Sequence, residues 1–412
     1  MRQTRDSESR LTAGWSPWRT VVGFGLVSLA GDMVYEGARS VYGPLLAALG
    51  ASATVVGLVT GAGEATALLL RLVSGPFADR SRHYWMLTLA GYALTAVCVP
   101  LLAVTPALGA AGLVVAAGLI LAERLGKAIR SPAKSALLAD AAGQVGMGRG
   151  LGVHKALDQI GAFAGPLLVA AIVAAAAGRV WPALAVLAVP GAASIVILIV
   201  VRTRGGNGPE QAAVDVAAAP IAPAVPLPAR FWWFGVAAGL CTAGLVTYGL
   251  IGYHLVRDHL VGAAAVPLLY AAAMAAGAVA ALLTGFAYDR SGPWILLVLP
   301  ILVASVPVLA FGTGLVAVVS GILLWGAATG VQDSTVKALV ADLVPRHRRA
   351  TAYGLFAAVQ GVGALLGGVT AGALYQQSRT ALIVAIAVSQ AVALLVLLAL
   401  YAVRSPASPA GP

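Results

Sequence analysis

Twelve apolar runs, each about as long as a lipid bilayer is thick, divide this 412-residue chain. A bilayer core of about 30 Å needs about 20 apolar residues per helical span. The runs lack the period-two alternation of barrel strands, and only helices and closed barrels satisfy their backbone groups in lipid. The runs cover residues 20–48, 53–74, 84–104, 109–130, 150–177, 181–201, 231–256, 264–287, 294–313, 315–338, 350–375 and 380–403. We therefore predict an all-α integral membrane protein with twelve transmembrane helices.

Composition excludes a soluble enzyme. Hydrophobic residues make up 60% of the chain and charged residues only 10%, whereas a soluble domain carries about 25% charged residues. Cys98 and Cys241 are single residues inside apolar runs, so neither a disulfide framework nor a metal site is expected. No cofactor is expected either.

The net charge of +11 comes largely from arginines in short loops, so it does not indicate a nucleic-acid partner. Cytoplasmic loops are enriched in Lys and Arg. With the amino terminus inside, fifteen loop and tail arginines are cytoplasmic and three (Arg179, Arg257 and Arg379) are not. We predict a multi-pass protein of the cytoplasmic (inner) membrane, with cytoplasmic tails at 1–19 and 405–412. The first apolar run contains charged residues, which argues against a cleavable signal.

Residues 203–230 are rich in Gly and Pro and too polar to span a membrane, which is typical of a linker. They separate two six-helix halves, 20–202 and 231–404. The halves repeat: residues 75–81 recur at 285–291, each after the second helix of its half, and 135–140 recur at 337–342. Duplicated halves are typical of transporters, whose substrate site lies near the midplane where the halves meet.

At these residues the chain resembles the major facilitator superfamily, over nearly its whole length. The family's loop motif between helices 2 and 3 is matched by one set of residues in each half, and the resemblance implies that they gate the cytoplasmic side. These are Gly75, Asp79 and Arg80 in the first half and Gly285, Asp289 and Arg290 in the second. The family fold implies two six-helix pseudo-repeats and a monomer.

Two further motifs support the resemblance. Gly152, Gly161, Gly165 and Pro166 are similar to the first part of the family's antiporter motif in the fifth helix. Small residues also allow close helix packing, and for these glycines we favour packing over ligand contact. The string from Glu123 to Pro132 resembles the family's fourth-helix pattern, which contains an essential arginine. It is also similar to the corresponding string of a bacterial, drug or metabolite efflux-like subgroup of the family.

Inserting an ionisable side chain at the bilayer centre costs about 2.5–3.5 kcal/mol of free energy, so each such residue is a candidate for function. Asp32, Glu36 and Arg39 share one face of the first helix, and Glu64 lies near the middle of the second. One interpretation is that Asp32, Glu36 or Glu64 gains and loses a proton in each transport cycle. The alternative is a static ion pair with Arg39 or Arg124 that only holds helices together. In the fifth helix, His154 and Asp158 form either a proton relay or a structural pair.

Candidates for substrate contact lie in both halves. Arg39 and Arg124 are candidate partners for an anionic group, whereas Arg130 and Lys134 are expected to snorkel to the membrane edge. The second half offers aromatic and amide groups suited to an apolar wall with a few polar atoms, although membrane-interface aromatics are an equal alternative. These candidates are Tyr248, Tyr270, Trp325, Gln332, Tyr353 and Gln360.

Together these patterns predict a secondary active transporter that moves a small organic molecule by alternating access. Proton-coupled efflux by antiport is the leading hypothesis, and proton-coupled transport of an anionic metabolite is the alternative. Sodium as the coupling ion stays open. An intramembrane enzyme is disfavoured because the chain lacks a zinc-protease, nucleophile-elbow or P-loop motif. A receptor would not need carboxylates at the midplane.

Overall fold

The computed structural model describes residues 15–205, 227–344 and 348–402, and every regular element in those ranges is helical. Ten stretches are long and apolar enough to cross a membrane. Two of these, Tyr84–Val145 and Ala265–Ala310, have 62 and 46 residues, about twice or more what one crossing needs. Each is interrupted by a turn whose glycine, Gly109 or Gly292, has a positive φ, a conformation that glycine adopts without strain. Dividing both stretches there gives twelve spans, as predicted.

The first six spans are numbered α1 to α6, and three of them consist of two helical segments. Their bounds are Pro17–Arg39 with Tyr42–Ala48 (α1), Ala53–Leu69 with Arg71–Ser81 (α2), Tyr84–Leu101 (α3), Gly112–Val145 (α4), Met147–Ala175 (α5) and Trp181–Val186 with Ala188–Arg204 (α6). Pro17 begins α1 at a position where its missing N–H is harmless. The Ser52 hydroxyl caps α2 by accepting from the Val55 amide at 3.3 Å.

The remaining spans, α7 to α12, repeat the same plan. Their bounds are Ala229–Gly244 with Tyr248–Arg257 (α7), Ala265–Ser291 (α8), Val298–Ala310 (α9), Leu315–Asp333 with Thr335–Leu343 (α10), Arg349–Gln377 (α11) and Arg379–Ala402 (α12). The Thr247 hydroxyl caps the second segment of α7 by accepting from the Leu250 amide at 3.4 Å. The break between the two α7 segments therefore has its own local stabilisation.

Most helix packing occurs within each set of six. In the first set, α1 packs on α5 and α6, and α3 packs on α4; in the second, α8 packs on α10, and α7 packs on α11 and α12. The two sets meet along α2 with α11 and α5 with α8, and where the short second segment of α1 contacts the second segment of α7. The cavity described below lies between these inter-set contacts.

The ends of the described chain lie on one side of the molecule. The Trp15 amide donates to the Arg204 carbonyl at 2.6 Å, so the start of α1 adjoins the end of α6. Arg230 similarly donates to the Leu400 carbonyl at 3.1 Å, which joins the start of α7 to the end of α12. We call this side the terminal face and the opposite side the far face.

Several boundaries differ from the predicted ones. Helix α4 continues to Val145, past the predicted end of its apolar run at residue 130, since alanine-rich sequence favours helix beyond the apolar run. The repeated motif expected in a loop is helical in both halves, because α2 runs to Ser81 and α8 to Ser291. Residues 1–14, 206–226 and 403–412, which include most of the predicted tails and linker, lie outside the described residues.

Candidate functional site

A cavity of about 920 Å³ lies between the two sets of helices. Its walls come from α1, α2, α4 and α5 on one side and from α7, α8, α10 and α11 on the other. The lining extends from mid-depth to residues near the terminal face, such as Lys134, Lys155 and Tyr353. A cavity of this size is large enough for a small organic molecule.

Toward the far face the two sets close on one another. The hydroxyls of Thr60 on α2 and Thr247 on α7 are 2.7 Å apart, and Thr54 donates to Gln376 at 3.0 Å. A Cβ placed on Gly43 would lie 2.2 Å from the Gly249 carbonyl oxygen, so only a glycine permits this backbone approach. The structure is therefore closed at the far face, with its cavity reaching toward the terminal face.

At mid-depth the cavity ends in a group of paired charges. Arg39 contacts Glu64 at 2.8 Å and Glu36 at 3.7 Å. Arg124 lies 3.6 Å from the same Glu64 oxygen, so Glu64 faces two guanidinium groups. Tyr270 of α8 accepts from Arg39 at 3.2 Å and donates to Glu36. These contacts bring four of the predicted site residues, Glu36, Arg39, Glu64 and Arg124, into one cluster and tie them to the second set of helices.

Closer to the terminal face, two carboxyl groups face each other across α1 and α5. Asp32 lies within hydrogen-bonding reach of Asp158, and both line the cavity. Asp158 also accepts from Lys155 at 2.6 Å. Among the described residues, Asp158 acts on His154 electrostatically without a direct hydrogen bond, and Nε2 of His154 instead lies 2.9 Å from the Ser28 hydroxyl.

Several cations along the same wall lack an ion-pair partner within the described part of the chain. The ammonium of Lys127 lies 3.2 Å from the centre of the Tyr35 ring, an arrangement that favours a cation. Lys134 donates to Ser28 at 2.8 Å instead of reaching the membrane edge. Arg130 is buried, donates to Thr95 and lies over the Tyr92 ring at 4.5 Å.

The predicted aromatic and amide candidates of the second half divide into two groups. Trp325, Gln332, Tyr353 and Gln360 line the cavity, while Tyr248 and Tyr270 do not. The latter two are fully buried, with ring centres 4.6 Å apart and Trp325 packed beside them. The Trp325 indole donates to the Val246 carbonyl at 2.7 Å, which fixes its ring at the cavity wall. Tyr248 and Tyr270 therefore support the wall from behind.

The residues of the two loop-motif copies lie at the terminal ends of α2 and α8. Asp79 accepts from Tyr84 at 3.2 Å, within the same set of helices. Asp79 and Arg80 are exposed, as are Asp289 and Arg290. The cavity lies between the two sets toward this end, although Leu72 of α2 still approaches Gly354 of α11. A Cβ on Gly75 or Gly285 would meet nothing within 4 Å.

The glycines of the fifth helix have unequal surroundings. A Cβ on Gly161 would lie 2.2 Å from the Leu29 carbonyl oxygen, and one on Gly165 would lie 2.3 Å from that of Met33. These two residues let α5 approach the backbone of α1, and Pro166 beside them is buried. Gly152 is exposed with nothing within 4 Å of its Cβ position, so it makes no such contact.

Three contributors to this site were not singled out from the sequence. Ser28 contacts both Lys134 and His154, and its position four residues before Asp32 was a signal for the same helical face. Thr60 and Thr247 close the far face, and no sequence pattern marked them. Among the described residues, no group of three or more His, Cys, Asp or Glu side chains is placed to hold a metal.

Comparison with known proteins agrees with this architecture. Residues 24–323 and 249–412 match the profile of the Major Facilitator Superfamily. The chain is 49% identical over 394 residues to uncharacterized proteins of Mycobacterium tuberculosis and Mycobacterium bovis, covering 95% of this chain and 94% of each relative.

Solved transporters share the fold at low sequence identity. The nucleoside transporter NupG has a TM-score of 0.69 at 14% identity, covering 93% of this chain and all of the other. A bacterial homologue of the iron transporter ferroportin, in an inward-facing state, has a TM-score of 0.69 at 14% identity, covering 94% and 99% of the two chains.

Proposed function

Since the chain belongs to the major facilitator superfamily, and is therefore a multi-pass secondary transporter, we propose that it exchanges protons for a small organic molecule. The substrate would bind in the 920 Å³ cavity between the two sets of helices. This proposal goes beyond the family assignment in three respects: the coupling ion, the direction and the substrate class.

The facing carboxyl groups of Asp32 and Asp158 are the observation that carries proton coupling. Two carboxyl groups within hydrogen-bonding reach titrate as a pair and can hold one proton between them. Both also line the cavity, so a bound substrate and the shared proton would influence each other directly. When the proton is released, the two negatively charged carboxylates would repel each other. This repulsion would push apart α1 and α5, the helices that carry them.

The second requirement of coupling is a link between this pair and the movement of the two halves. We propose that residues 20–202 and 231–404 rock as units connected by the cytoplasmic linker 203–230. The cluster of Glu36, Arg39 and Glu64 lies on the Asp32 side and reaches Tyr270 of the other unit. Proton transfer at Asp32 would thus act on a helix that also holds the contacts closing the far face.

The motif residues Asp79 and Arg80, with their counterparts Asp289 and Arg290, would close the terminal face in the opposite state. Their exposure at the open end of the cavity is consistent with this role. The arginine distribution supports a cytoplasmic terminal face. The cavity would then take up its substrate from the cytoplasm, and inward proton flow would drive export by antiport.

A specific observation favours the alternative of an anionic substrate. Within the described residues, three acids of the cavity wall, Glu36, Glu64 and Asp158, are in ion pairs. The wall cations Lys127 and Lys134 are in no ion pair there, and have the wall acid Asp32 as an electrostatic neighbour. An unpaired cation in a partly dry cavity is stabilised by an incoming carboxylate or phosphate. Arg39, which is already held by two carboxylates, is less available for that role.

Substrate-induced proton movement tests the proposal even while the substrate is unidentified. The purified protein is reconstituted into liposomes that contain a pH-sensitive dye, and drugs and metabolites, both cationic and anionic, are added one at a time. We expect at least one compound to change the internal pH only when the protein is present. If compounds are transported with a sodium gradient but never move protons, sodium coupling replaces this proposal. A rise in internal pH when the compound enters indicates antiport, and a fall indicates symport.

A further inference from the structure

Glu123 on α4 is a fully buried acid whose carboxyl group has no hydrogen-bond donor. Its exposed fraction is 0%, and neither of its oxygens accepts a hydrogen bond from the described residues. An ionised carboxylate in such surroundings lacks the donors that normally offset its lost hydration. A neutral carboxyl group is the form that fits this environment.

Arg124, the next residue, lies between two glutamates without bonding to either. Its Nε is 3.5 Å from Glu123, and its Nη1 is 3.6 Å from Glu64. Both nitrogens are buried and neither makes a hydrogen bond. The guanidinium is held over the Tyr35 ring at 4.5 Å. A small rotation of the Arg124 side chain would therefore bring it into hydrogen bonding with one glutamate and away from the other.

Glu64 has a second ion-pair partner, whereas Glu123 has no second one among the described residues. Arg39 contacts Glu64 at 2.8 Å, so Glu64 keeps one guanidinium partner when Arg124 turns away from it. Glu64 also lines the cavity, whereas Glu123 does not. Glu36 and Glu64 are the acids that act electrostatically on Glu123, and both line the cavity. Of these two, Glu64 shares the contact with Arg124.

We propose that Glu123 stores a proton that it exchanges with Glu64, under the control of Arg124. When Arg124 turns toward Glu123, the O–H bond of the Glu123 carboxyl breaks and the proton passes to the Glu64 carboxylate that Arg124 leaves. The combined charge of the two glutamates is unchanged, and the proton has moved to a group in contact with the cavity. The inference rests on the proposed proton coupling and adds a second proton site to it.

The groups that face Glu123 come from four helices. Besides Arg124, these are Lys127 and Arg130 of α4, Glu36 and Tyr42 of α1, Glu64 of α2 and Cys98 of α3. The hydroxyl of Tyr42 is buried and has no hydrogen-bond partner in the described structure. Lys127 and Arg130 are the positive groups of this set, and Glu36 and Glu64 are the negative ones. Arg124 contacts both Glu123 and Glu64.

Infrared spectroscopy of the purified protein in lipid vesicles tests this proposal without a substrate. The carbonyl-stretch band of protonated carboxyl groups is followed from acid to alkaline pH in the wild type and in Glu123→Gln. We expect the variant to lose the intensity of one carboxyl group at neutral pH. Asp140→Asn, which removes an exposed acid on the same helix, should leave the band unchanged. An unchanged band in Glu123→Gln would overturn the proposal.

Arg124→Gln tests the control step with Glu123 left in place. Without the guanidinium, the Glu123 band should persist to higher pH by about one unit or more. If its midpoint does not move, Arg124 does not control the proton. Asp32→Asn in the same assay separates the two proposals: a loss of intensity there with none in Glu123→Gln would reject the second site while leaving the coupling at Asp32 and Asp158 standing.

Discussion

Arg39 on α1 donates a hydrogen bond of 3.2 Å to the hydroxyl of Tyr270 on α8, and the same hydroxyl donates to Glu36. One phenol thus joins the charged cluster of the first six helices to the buried aromatic group of the second six. The contact lies at the far-face end of the cavity, beside the hydroxyl contact between Thr60 and Thr247. Any movement that opens the far face must separate these groups.

Removing the Tyr270 hydroxyl should therefore weaken closure of the far face. A hydrogen bond to a charged group contributes about 1.5–3 kcal/mol, so Tyr270→Phe should raise the population of the far-open state about ten-fold or more. The readout is the labelling rate, by a membrane-impermeant thiol reagent, of a cysteine introduced at Val56, a buried residue one turn before Thr60 on α2. Cys98 and Cys241 are buried and are replaced by serine in all variants.

Tyr248→Phe is the matched control. Its hydroxyl donates to the Val266 carbonyl at 2.6 Å, between two helices of the same half. Its loss should lower stability without changing the labelling rate at Val56→Cys. Equal labelling rates in Tyr270→Phe and the wild type would show that the Tyr270 contact does not hold the far face closed.

Close packing of α1 on α5 should depend on Gly161 but not on Gly152. A Cβ at Gly161 would lie 2.2 Å from the Leu29 carbonyl oxygen, while one at Gly152 meets nothing within 4 Å. Overpacking of this kind costs about 1–3 kcal/mol. Gly161→Ala should lower the midpoint of thermal unfolding of the detergent-solubilised protein, and Gly152→Ala should leave it unchanged or raise it slightly, because alanine favours helix. A similar loss in both variants would contradict this account of the packing.

Lys127 should contribute to binding if the substrate is an anion. Its ammonium is held over the Tyr35 ring in the cavity wall, so Lys127→Gln should raise the apparent KM for an anionic substrate about ten-fold or more. The measurement is the concentration dependence of dye-detected proton movement in liposomes. Arg149→Gln, which removes an exposed charge outside the cavity, should have no effect. An unchanged KM in Lys127→Gln would exclude Lys127 as the anion-binding group.

The large-scale architecture was predictable because lipid permits few alternatives. Apolar runs such as 84–104 and 109–130 predicted α3 and the start of α4 closely, since the backbone must be helical wherever lipid surrounds it. The end of α4 at Val145 was not predicted from hydropathy. Beyond the apolar run, the helix propensity of the sequence determines where the helix ends. The motif around Asp79 was likewise expected in a loop because it follows the apolar run, whereas the second segment of α2 stays helical to Ser81.

The site was only partly predictable, because partners depend on how helices rotate against one another. Asp32 and Asp158 were both candidates, but their proximity depends on the approach of α1 to α5. His154 was assigned to Asp158 by spacing alone, whereas its nearest polar contact is Ser28 on another helix. Spacing along one helix identifies a shared face, but it does not identify the residue that the neighbouring helix places opposite.

The most direct test of the central claim compares Asp32→Asn with the wild type in dye-loaded liposomes, using a compound that moves protons through the wild type. Asparagine keeps the shape of Asp32 but cannot release a proton. The account predicts that Asp32→Asn still exchanges labelled for unlabelled compound, but no longer moves protons or accumulates the compound against a gradient. Asp140→Asn should behave as the wild type. Proton movement by Asp32→Asn with the pH dependence of the wild type would contradict coupling at Asp32 and Asp158.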